Sequence, residues 1–347
     1  WNPTTVSYAD NGDNGPSGVN RIECSINGGA FSASNCVTSA PPEHGTVIAA
    51  RVVDNAGNAG PAASVTVQRD TQAPNAPTLS LGGFSRGTWN PTTLNVRSNG
   101  DNGPSGVAYV ECSVNGGNFG GPGSCESINV PSLGHGTVIA ARVRDNAGNA
   151  GPAASVTVQR DTQAPNAPTL SLGGFSRGTW NPTTLNVRSN GDNGPSGVAY
   201  VECSVNGGAF GGPWSCESID VPRLSHGTTI VARAVDNAGN VSGNSNTVTV
   251  QRDTQAPNAP SVTLGGFTGV PPWNPTTVSY ADNGDNGPSG VNRIECSING
   301  GAFSASNCVT SAPPEHGTVI AARVVDNAGN AGPAASVTVQ RDTQAPN

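Results

Sequence analysis

Residues 106–117 read Gly-Val-Ala-Tyr-Val-Glu-Cys-Ser-Val-Asn-Gly-Gly, and this stretch decides the fold class. Val110, Cys112 and Val114 alternate with polar or aromatic residues, which is the period of a strand with one buried face. The dipeptide Asn115-Gly116 that follows is a strong signal for a tight hairpin turn. The stretch therefore predicts a β-strand that runs into a turn.

The sequence on either side continues this pattern. Alternating polar and apolar residues predict further strands at residues 78–81, 93–97, 127–130, 137–144 and 155–160. Turn signals recur about every 8–12 residues and no helical period is present, which is typical of an all-β domain built from short strands. About six or seven such strands in one unit indicate a β-sandwich.

The unit occurs four times. The motif Trp-Asn-Pro-Thr-Thr begins at Trp1, Trp89, Trp180 and Trp273. Residues 1–75 recur letter for letter as residues 273–347. A fixed period of this size predicts a tandem array of similar domains. We place these domains at residues 1–75, 76–166, 167–258 and 259–347.

The given sequence begins and ends at a different point of the repeat from the predicted domain boundaries. The first unit lacks the Thr-Leu-Ser-Leu strand that opens the second unit at Thr78. An unpaired sheet edge invites pairing with another segment. We expect a preceding repeat to supply that strand in cis, and the alternative is a neighbouring chain that supplies it in trans.

Each unit ends in the same connector. Arg-Asp-Thr-Gln-Ala-Pro-Asn-Ala-Pro begins at Arg69, Arg160 and Arg252, and its first seven residues recur from Arg341. Paired prolines favour extended backbone, so we predict a short, semi-rigid connector and not a flexible linker.

The eight cysteines fall into one pair per unit. The pairs are Cys24/Cys36, Cys112/Cys125, Cys203/Cys216 and Cys296/Cys308. Two cysteines without a nearby Cys-x-x-Cys partner make a poor four-ligand zinc site, so we predict one intradomain disulfide in each unit. Disulfides of this kind imply an oxidising, extracellular compartment.

Composition excludes several classes of function. The net charge is −7, and all 16 basic residues are arginine, so the basic stripe of a nucleic-acid-binding protein is missing. No run of 18 apolar residues could span a membrane. The sequence contains no nucleophile–base motif, and we predict a protein that is not an enzyme.

The repeats resemble the bacterial Ig-like repeat domains of large extracellular adhesins. The resemblance rests on residues 105–117, on His-Gly-Thr leading into Asp-Asn-Ala-Gly-Asn at residues 135–149, and on the closing Val-Gln-Arg-Asp-Thr-Gln-Ala-Pro. It covers essentially the whole chain and implies a tandem array of Ig-like β-sandwich domains. Such domains serve as stalks that hold a binding tip away from the cell, and some bind calcium at domain junctions. The cysteine pair is not a general feature of that family.

Two acidic motifs are candidate calcium ligands. The first is the oxygen-rich loop at residues 10–15 and 282–287, with Asp10 and Asp13, and its shorter form at residues 99–103 and 190–194. Calcium prefers six to eight oxygen ligands, but the spacing differs from that of an EF-hand. The alternative is that Asn, Asp and Gly serve only as turn residues.

The second candidate combines two positions in every unit. Asp-Asn-Ala-Gly-Asn contributes Asp54, Asp145, Asp236 and Asp326. The connectors contribute Asp70, Asp161, Asp253 and Asp342. We expect either a metal ion at each domain junction or aspartates that cap their own turns. No other cofactor is predicted.

Histidine and tryptophan also recur once per unit. We predict that His44, His135, His226 and His316, each followed by Gly-Thr, are turn residues with satisfied hydrogen bonds. The tryptophan of each repeat motif either packs over a junction or offers an exposed contact. Trp214 stands outside the repeat pattern, where the preceding unit has Gly123.

Two functions fit these observations. The first is a segment of a longer repetitive extracellular stalk that gives length and stiffness for adhesion, with neighbouring repeats as its partners. The alternative is a self-associating fibre or matrix protein, in which the repeats contact other copies laterally. Aromatic residues such as Trp214 would favour the fibre, whereas polar strand faces favour the stalk.

Overall fold

A computed structural model describes residues 1–39, 42–311 and 314–345. The chain divides into two compact units, Trp1–Asp161 and Thr162–Asn347. Each holds two sequence repeats. The helices of the described residues are four three-residue 3-10 turns, Ala33–Asn35, Val130–Ser132, Val221–Arg223 and Ala305–Asn307. None of these helices is long and apolar enough to cross a membrane.

The described residues of the first unit, 1–39 and 42–161, form eight strands. They are β1 (Val19–Ile26), β2 (Val47–Asp54), β3 (Ala63–Thr66), β4 (Thr78–Gly82), β5 (Thr93–Arg97), β6 (Val107–Val114), β7 (Val138–Asp145) and β8 (Ala154–Thr157). All pairings are antiparallel, with sheets ordered β1-β2-β3, β4-β5 and β6-β7-β8. The second repeat is therefore a two-stranded sheet and a three-stranded sheet.

Ten strands lie in the part of the second unit that the structure describes. They are β9 (Thr169–Gly173), β10 (Thr184–Arg188), β11 (Val198–Val205), β12 (Thr229–Asp236), β13 (Val248–Thr249), β14 (Ser261–Gly265), β15 (Thr277–Ala281), β16 (Val291–Ile298), β17 (Val319–Asp326) and β18 (Ala335–Thr338). Its sheets are β9-β10, β11-β12-β13, β14-β15 and β16-β17-β18, all antiparallel.

The core of the second repeat lies between its two sheets, on the face that the alternation predicts. Cys112 lies opposite Ala141, and both are buried with Cys125. Leu79 and Leu94 of the two-stranded sheet pack against the same core. The all-β prediction and the inward face of β6 are thus confirmed.

The four predicted disulfides are confirmed. Cys24–Cys36, Cys112–Cys125, Cys203–Cys216 and Cys296–Cys308 are bonded within their own repeats. No free cysteine remains in the described part of the chain. Each bridge ties the loop to the first strand of its three-stranded sheet, so the long loop after that strand is fixed to the core.

One strand prediction is wrong. Residues 127–130 do not form a strand, because Pro131 has no N–H for a ladder and the chain turns instead into the 3-10 segment Val130–Ser132. Within the described residues, each complete repeat therefore has five strands and not six or seven. In the first repeat, residues 5–9 form no strand beyond a single bridge from Thr5 to Ser39, because no upstream strand pairs with them.

Candidate metal centres

Three aspartates from distant parts of the first unit converge where its two repeats meet. Asp70 lies in the connector after β3, Asp101 in the loop between β5 and β6, and Asp145 at the end of β7. One carboxylate oxygen from each lies within 4.8 Å of the others. Oxygens bound to one calcium ion at about 2.4 Å are separated by no more than twice that distance. The spacing is therefore compatible with a shared cation.

The connector aspartate is held rigidly. Asp70 is 2% exposed, and its carboxylate accepts hydrogen bonds from the backbone N–H of Gln72 and of Ser105, both at 2.9 Å. Burial raises the pKa of Asp70, but the hydrogen bonds from Ser105 and Gln72 outweigh it and leave the pKa below its usual value. Asp70 is thus kept in the charged form that a metal ligand requires.

Gly103 makes this close approach possible. A Cβ atom at this position would overlap the carboxylate of Asp70. The Asn-Gly-Asp-Asn-Gly loop therefore needs glycine here because a side chain from the neighbouring repeat occupies the space. The loop is shaped around the connector.

Asp145 is held by its own turn. Its carboxylate accepts hydrogen bonds from the backbone N–H and side-chain amide of Asn149, both at 2.7 Å. The same amide donates to the carbonyl of Asp70 at 3.1 Å. The predicted turn cap is present, and Asn149 also ties that turn to the connector.

Asp101 has unused ligand capacity. Its Oδ2 accepts a 3.4 Å hydrogen bond from the hydroxyl of Ser105, but its Oδ1 is buried and has no hydrogen-bond partner. A buried carboxylate oxygen without a partner is costly. Three carboxylates also repel one another, and a cation among them would relieve both costs. These hard oxygen donors fit calcium.

The connector itself is fixed to the second repeat. Asn102 donates to the carbonyl of Ala73 at 2.9 Å, and the N–H of Asn75 donates to the carbonyl of Gly100 at 3.1 Å. A Cβ atom on Gly151 would clash with the carbonyl of Pro74. These contacts agree with the predicted semi-rigid connector.

The second unit repeats this arrangement. Asp253, Asp285 and Asp326 bring carboxylate oxygens within 4.8 Å of one another. Asp253 accepts from the N–H of Gln255 and of Ser289, both at 2.9 Å. Asp326 accepts from the backbone and the amide of one asparagine at 2.8 and 2.7 Å. One difference is that Oδ1 of Asp285 accepts a 3.2 Å hydrogen bond from Gly287.

Other predicted ligands lie outside these two clusters. Asp10 is exposed and accepts from Gly12 at 3.3 Å, and Asp13 accepts from Gly15 and Gly18 at 2.9 and 2.8 Å, as in ordinary turns. Asp54 accepts from Asn58, whose side-chain and backbone hydrogen bonds lower the pKa of Asp54.

The remaining predicted ligands are Asp342, Asp161 and Asp236, and each takes part in a hydrogen bond. Asp342 is exposed and accepts from Gln344 at 2.9 Å. Asp161 is buried, and its N–H donates to the side chain of Asn90 at 2.9 Å. Asp236 is fully buried and accepts from Asn240 at 2.8 Å.

Asp101 and Asp285 were not among the individually predicted ligands. Both lie in the oxygen-rich loops that the sequence analysis identified. They hold the position in their own repeats that Asp13 holds in the first repeat. Alignment of the four repeats could have identified them, because the loop aspartate recurs at the same distance before Ser-Gly-Val.

The recurrent tryptophans and histidines pair with each other. Trp1 stacks on His44 and Trp89 on His135, with ring centroids 5.6 Å apart in both pairs. Nδ1 of His44 accepts a hydrogen bond from the N–H of Arg69 at 3.2 Å. The prediction that these histidines are satisfied turn residues is therefore confirmed. The tryptophans pack against them within one repeat.

No protein-family model matches this chain, and no curated protein matches it. A tetra-tandem repeat in the extending region of a large adhesion protein is similar to it, with 17% identity over 92% of this chain and 91% of that chain and a TM-score of 0.28. A structure from a 1.5-MDa bacterial ice-binding adhesin has 16% identity over 79% and 100%, with a TM-score of 0.35.

Domains FN1 to FN3 of chicken CNTN1 have 12% identity over 78% of this chain and 99% of that chain, with a TM-score of 0.25. Two of these three structures come from large adhesion proteins.

Proposed function

We propose that this chain is a segment of an extracellular, non-enzymatic stalk whose repeats give length and stiffness for adhesion. The observation that supports this most is the same three-aspartate cluster at a repeat junction in each compact unit. A feature that recurs with the repeat serves the array, whereas a catalytic centre is normally single.

Covalent cross-links support the extracellular part of the proposal. Every repeat carries its own disulfide, and such bridges persist in oxidising compartments. A small core benefits from such a staple. Each disulfide would also keep one repeat folded when its neighbour is pulled or unfolded.

Divalent cations, calcium in particular, would stiffen the junctions. In the first unit, Asp70, Asp101 and Asp145 would hold the ion, which would supply positive charge among three carboxylates. Since Asp70 belongs to the connector and the other two to the next repeat, the ion would link one repeat to the other. We therefore propose that the domains lie at residues 1–75, 76–166, 167–258 and 259–347, and that the ion restricts bending at the repeat junction within each compact unit.

Calcium binding by the full chain tests this function. We expect calorimetric titration to detect bound calcium, and calcium at about 100 times its Kd to stabilise a site-bearing unit by about 2.7 kcal/mol. Asp101→Asn should lower the number of calcium ions bound. Asp13→Asn, at the equivalent position of the first repeat, is the matched control and should leave that number unchanged.

Two results would contradict calcium binding at the clustered aspartates. If a chelator changes neither the melting temperature of the chain nor the bending between repeats in electron micrographs, the aspartates are turn residues only. If Asp13→Asn reduces calcium binding as much as Asp101→Asn, the clustered sites are not the ones occupied.

A second candidate function is a multi-chain fibre, and one residue favours it. Trp214 is 76% exposed, which is unusual for the largest apolar side chain. It would give the third repeat a lateral contact. Negative-stain images of the chain at high concentration distinguish the two functions, since a stalk gives single threads and a fibre gives bundles that Trp214→Gly disperses.

A further inference from the structure

The hairpin that joins β9 to β10 has a well-defined tip, residues 174–180, Gly-Phe-Ser-Arg-Gly-Thr-Trp. The N–H of Ser176 donates to the carbonyl of Trp180 at 3.0 Å, and the N–H of Trp180 donates to the carbonyl of Arg177 at 2.9 Å. Gly178 has φ +56°, a conformation that glycine adopts at no steric cost. The tip therefore holds Ser176 and Arg177 in a fixed position.

This tip of the third repeat makes two hydrogen bonds to the fourth repeat. The hydroxyl of Ser176 donates to the carbonyl of Ala328 at 3.1 Å. Nη2 of Arg177 donates to Oδ1 of Asn292 at 2.9 Å. Ala328 is 3% exposed, so the first of these contacts is shielded from water. The hairpin is thus a direct link between two repeats of the second unit.

Both acceptors belong to one network in the fourth repeat. The amide of Asn292 donates to Oδ1 of Asn327 at 2.7 Å, and the amide of Asn327 donates to the carbonyl of Ser289 at 2.9 Å. Ala328 follows Asn327 in the turn at residues 326–330. The tip therefore holds this turn twice, directly at Ala328 and through Asn292 at Asn327.

The base of the hairpin is fixed to the connector between the two repeats. The amide of Asn181 donates to the carbonyl of Asp253 at 2.8 Å, and the N–H of Asp253 donates to Oδ1 of Asn181 at 2.9 Å. Trp180 stacks on His226 of its own repeat, with ring centroids 5.7 Å apart. The hairpin consequently joins the third repeat, the connector and the fourth repeat through contacts between protein atoms.

The residue that accepts from Arg177 differs between repeats. The first and fourth repeats read Val-Asn-Arg at this point, with Asn20 and Asn292, whereas the second and third read Val-Ala-Tyr, with Ala108 and Ala199. An asparagine side chain offers a carbonyl acceptor to a guanidinium, and alanine offers none. Hydrogen bonds from a charged donor are stronger than those between neutral groups. The two repeat types therefore differ in the contact that they offer to an arginine of a preceding hairpin.

We propose that residues 174–181 form a latch that joins the third repeat to the fourth without a metal ion, and that residue 292 decides how firmly the latch holds. A repeat of the Val-Asn-Arg type is held through Arg177, whereas a repeat of the Val-Ala-Tyr type lacks that acceptor. This goes beyond a stalk with cation-stiffened junctions, because the latched junction keeps a direct contact when no cation is bound.

Limited trypsin digestion of the full 347-residue chain in the presence of a chelator tests the latch. All basic residues of the chain are arginine, and the bond after Arg177 lies in the tip. Cleavage there requires the tip to leave the fourth repeat, so its rate reports the open population of the latch. We expect Asn292→Ala to accelerate the appearance of fragments 1–177 and 178–347 by about threefold or more.

Two controls separate the latch from a general loss of stability. Arg86 lies in the same seven-residue sequence in the second repeat, and Asn292→Ala should leave the rate of cleavage after Arg86 unchanged. Asn20→Ala, the same change in the identical first repeat, should leave cleavage after Arg177 unchanged. The alanine at position 292 is compatible with a folded strand, because β6 and β11 carry alanine at the equivalent position.

A second variant separates the latch from a role of Asn292 within its own repeat. Asn292→Asp keeps an oxygen acceptor for Arg177 but cannot donate to Asn327, so we expect cleavage after Arg177 no faster than in the parent chain. The proposal is overturned if the Asp and Ala variants accelerate this cleavage equally. It is also overturned if Asn292→Ala leaves this cleavage unchanged, or accelerates cleavage after Arg86 to the same extent. The chelator makes every result independent of calcium, and thus of the test of the stalk.

Discussion

At the scale of single residues, one position carries a non-glycine residue in a backbone conformation that favours glycine. Trp214 has φ +66°, while Gly123 holds the equivalent position of the second repeat at φ +78°. A residue with a Cβ pays roughly 1–2 kcal/mol in the left-handed region. The exposed Trp214 makes little buried contact that could offset this cost.

Replacing Trp214 by glycine should therefore stabilise the third repeat. We expect Trp214→Gly to raise the free energy of unfolding by about 1 kcal/mol in urea titration. The reciprocal change Gly123→Trp is the control and should destabilise the second repeat by a similar amount. If Trp214→Gly lowers stability, the side chain makes contacts that outweigh the strain.

A second residue-scale prediction concerns the junction glycine. Gly103→Ala places a methyl group in the volume of the Asp70 carboxylate, so it should destabilise the first unit by about 1–3 kcal/mol. Gly15→Ala is the matched control, because a Cβ there lies 3.5 Å from Asp13, an ordinary contact. Equal melting temperatures of the two variants would mean that the connector moves away freely.

The metal candidates show how far sequence reasoning reaches at this scale. Asp70 and Asp145 could be predicted because each recurs in a fixed motif. Their meeting with Asp101 could not, because Asn-Gly-Asp-Asn-Gly has the composition of any turn. Only the folded connector brings a residue of one repeat into the loop of the next.

At the scale of elements, each three-stranded sheet carries a buried glutamate on its outer face. Glu111 on β6 is 4% exposed and accepts from Arg142 at 2.6 Å and Arg144 at 2.9 Å. The guanidinium of Arg142 also lies 4.1 Å above the ring of Phe119. The alternation placed Glu111 on the polar face correctly, but the loop that covers it was not predictable from β6 alone.

This ion pair makes stability depend on pH. Burial raises the pKa of Glu111, but hydrogen bonds from Arg142 and Arg144 outweigh it and hold the pKa below its ordinary value. A carboxylate with a lowered pKa stabilises the fold above its unfolded pKa, and that stability is lost as pH falls through the folded pKa. We expect the loss in acid, below about pH 4.3.

The variant Arg142→Met should remove part of that dependence. We expect a loss of about 2 kcal/mol at pH 7, because Glu111 keeps only one charged partner, and a smaller further loss on acidification, measured by urea titration from pH 6 to pH 3. Arg223→Met is the control, since the pair of Arg223 with Asp220 is exposed and worth little. A pH profile that Arg142→Met leaves unchanged would contradict this account.

At the scale of the whole molecule, the identical first and last repeats show how the same sequence folds next to different neighbours. The alternating pattern predicted the fold class and the inward residues of complete repeats, and the single cysteine pair in each repeat predicted the disulfides. It could not predict that residues 5–9 would differ from Thr277–Ala281, because the two segments have one sequence. A strand exists only with its partner, and β-propensity describes a fit to neighbours more than a property of the backbone.

Hydrogen exchange should detect this difference within a single peptide. Digestion releases residues 1–9 and 273–281 as chemically identical fragments, so their mass spectra overlap. Ladder bonds to β14 protect the amides of the later copy, whereas the first copy lacks that ladder in the described structure. We expect the isotope envelope of this fragment to split into two populations of equal size.

The identical fragments from residues 19–26 and 291–298 provide the control. They form β1 and β16, which pair with β2 and β17 in the same register, so their two populations should exchange at much closer rates. In a variant with residues 256–272 fused before Trp1, the first copy gains its own ladder partner. The fast-exchanging population of the fragments 1–9 and 273–281 should then exchange as slowly as the other population. A single slow envelope in the unmodified chain would mean that residues 5–9 are protected without β14, and that the first repeat completes its sheet by another route.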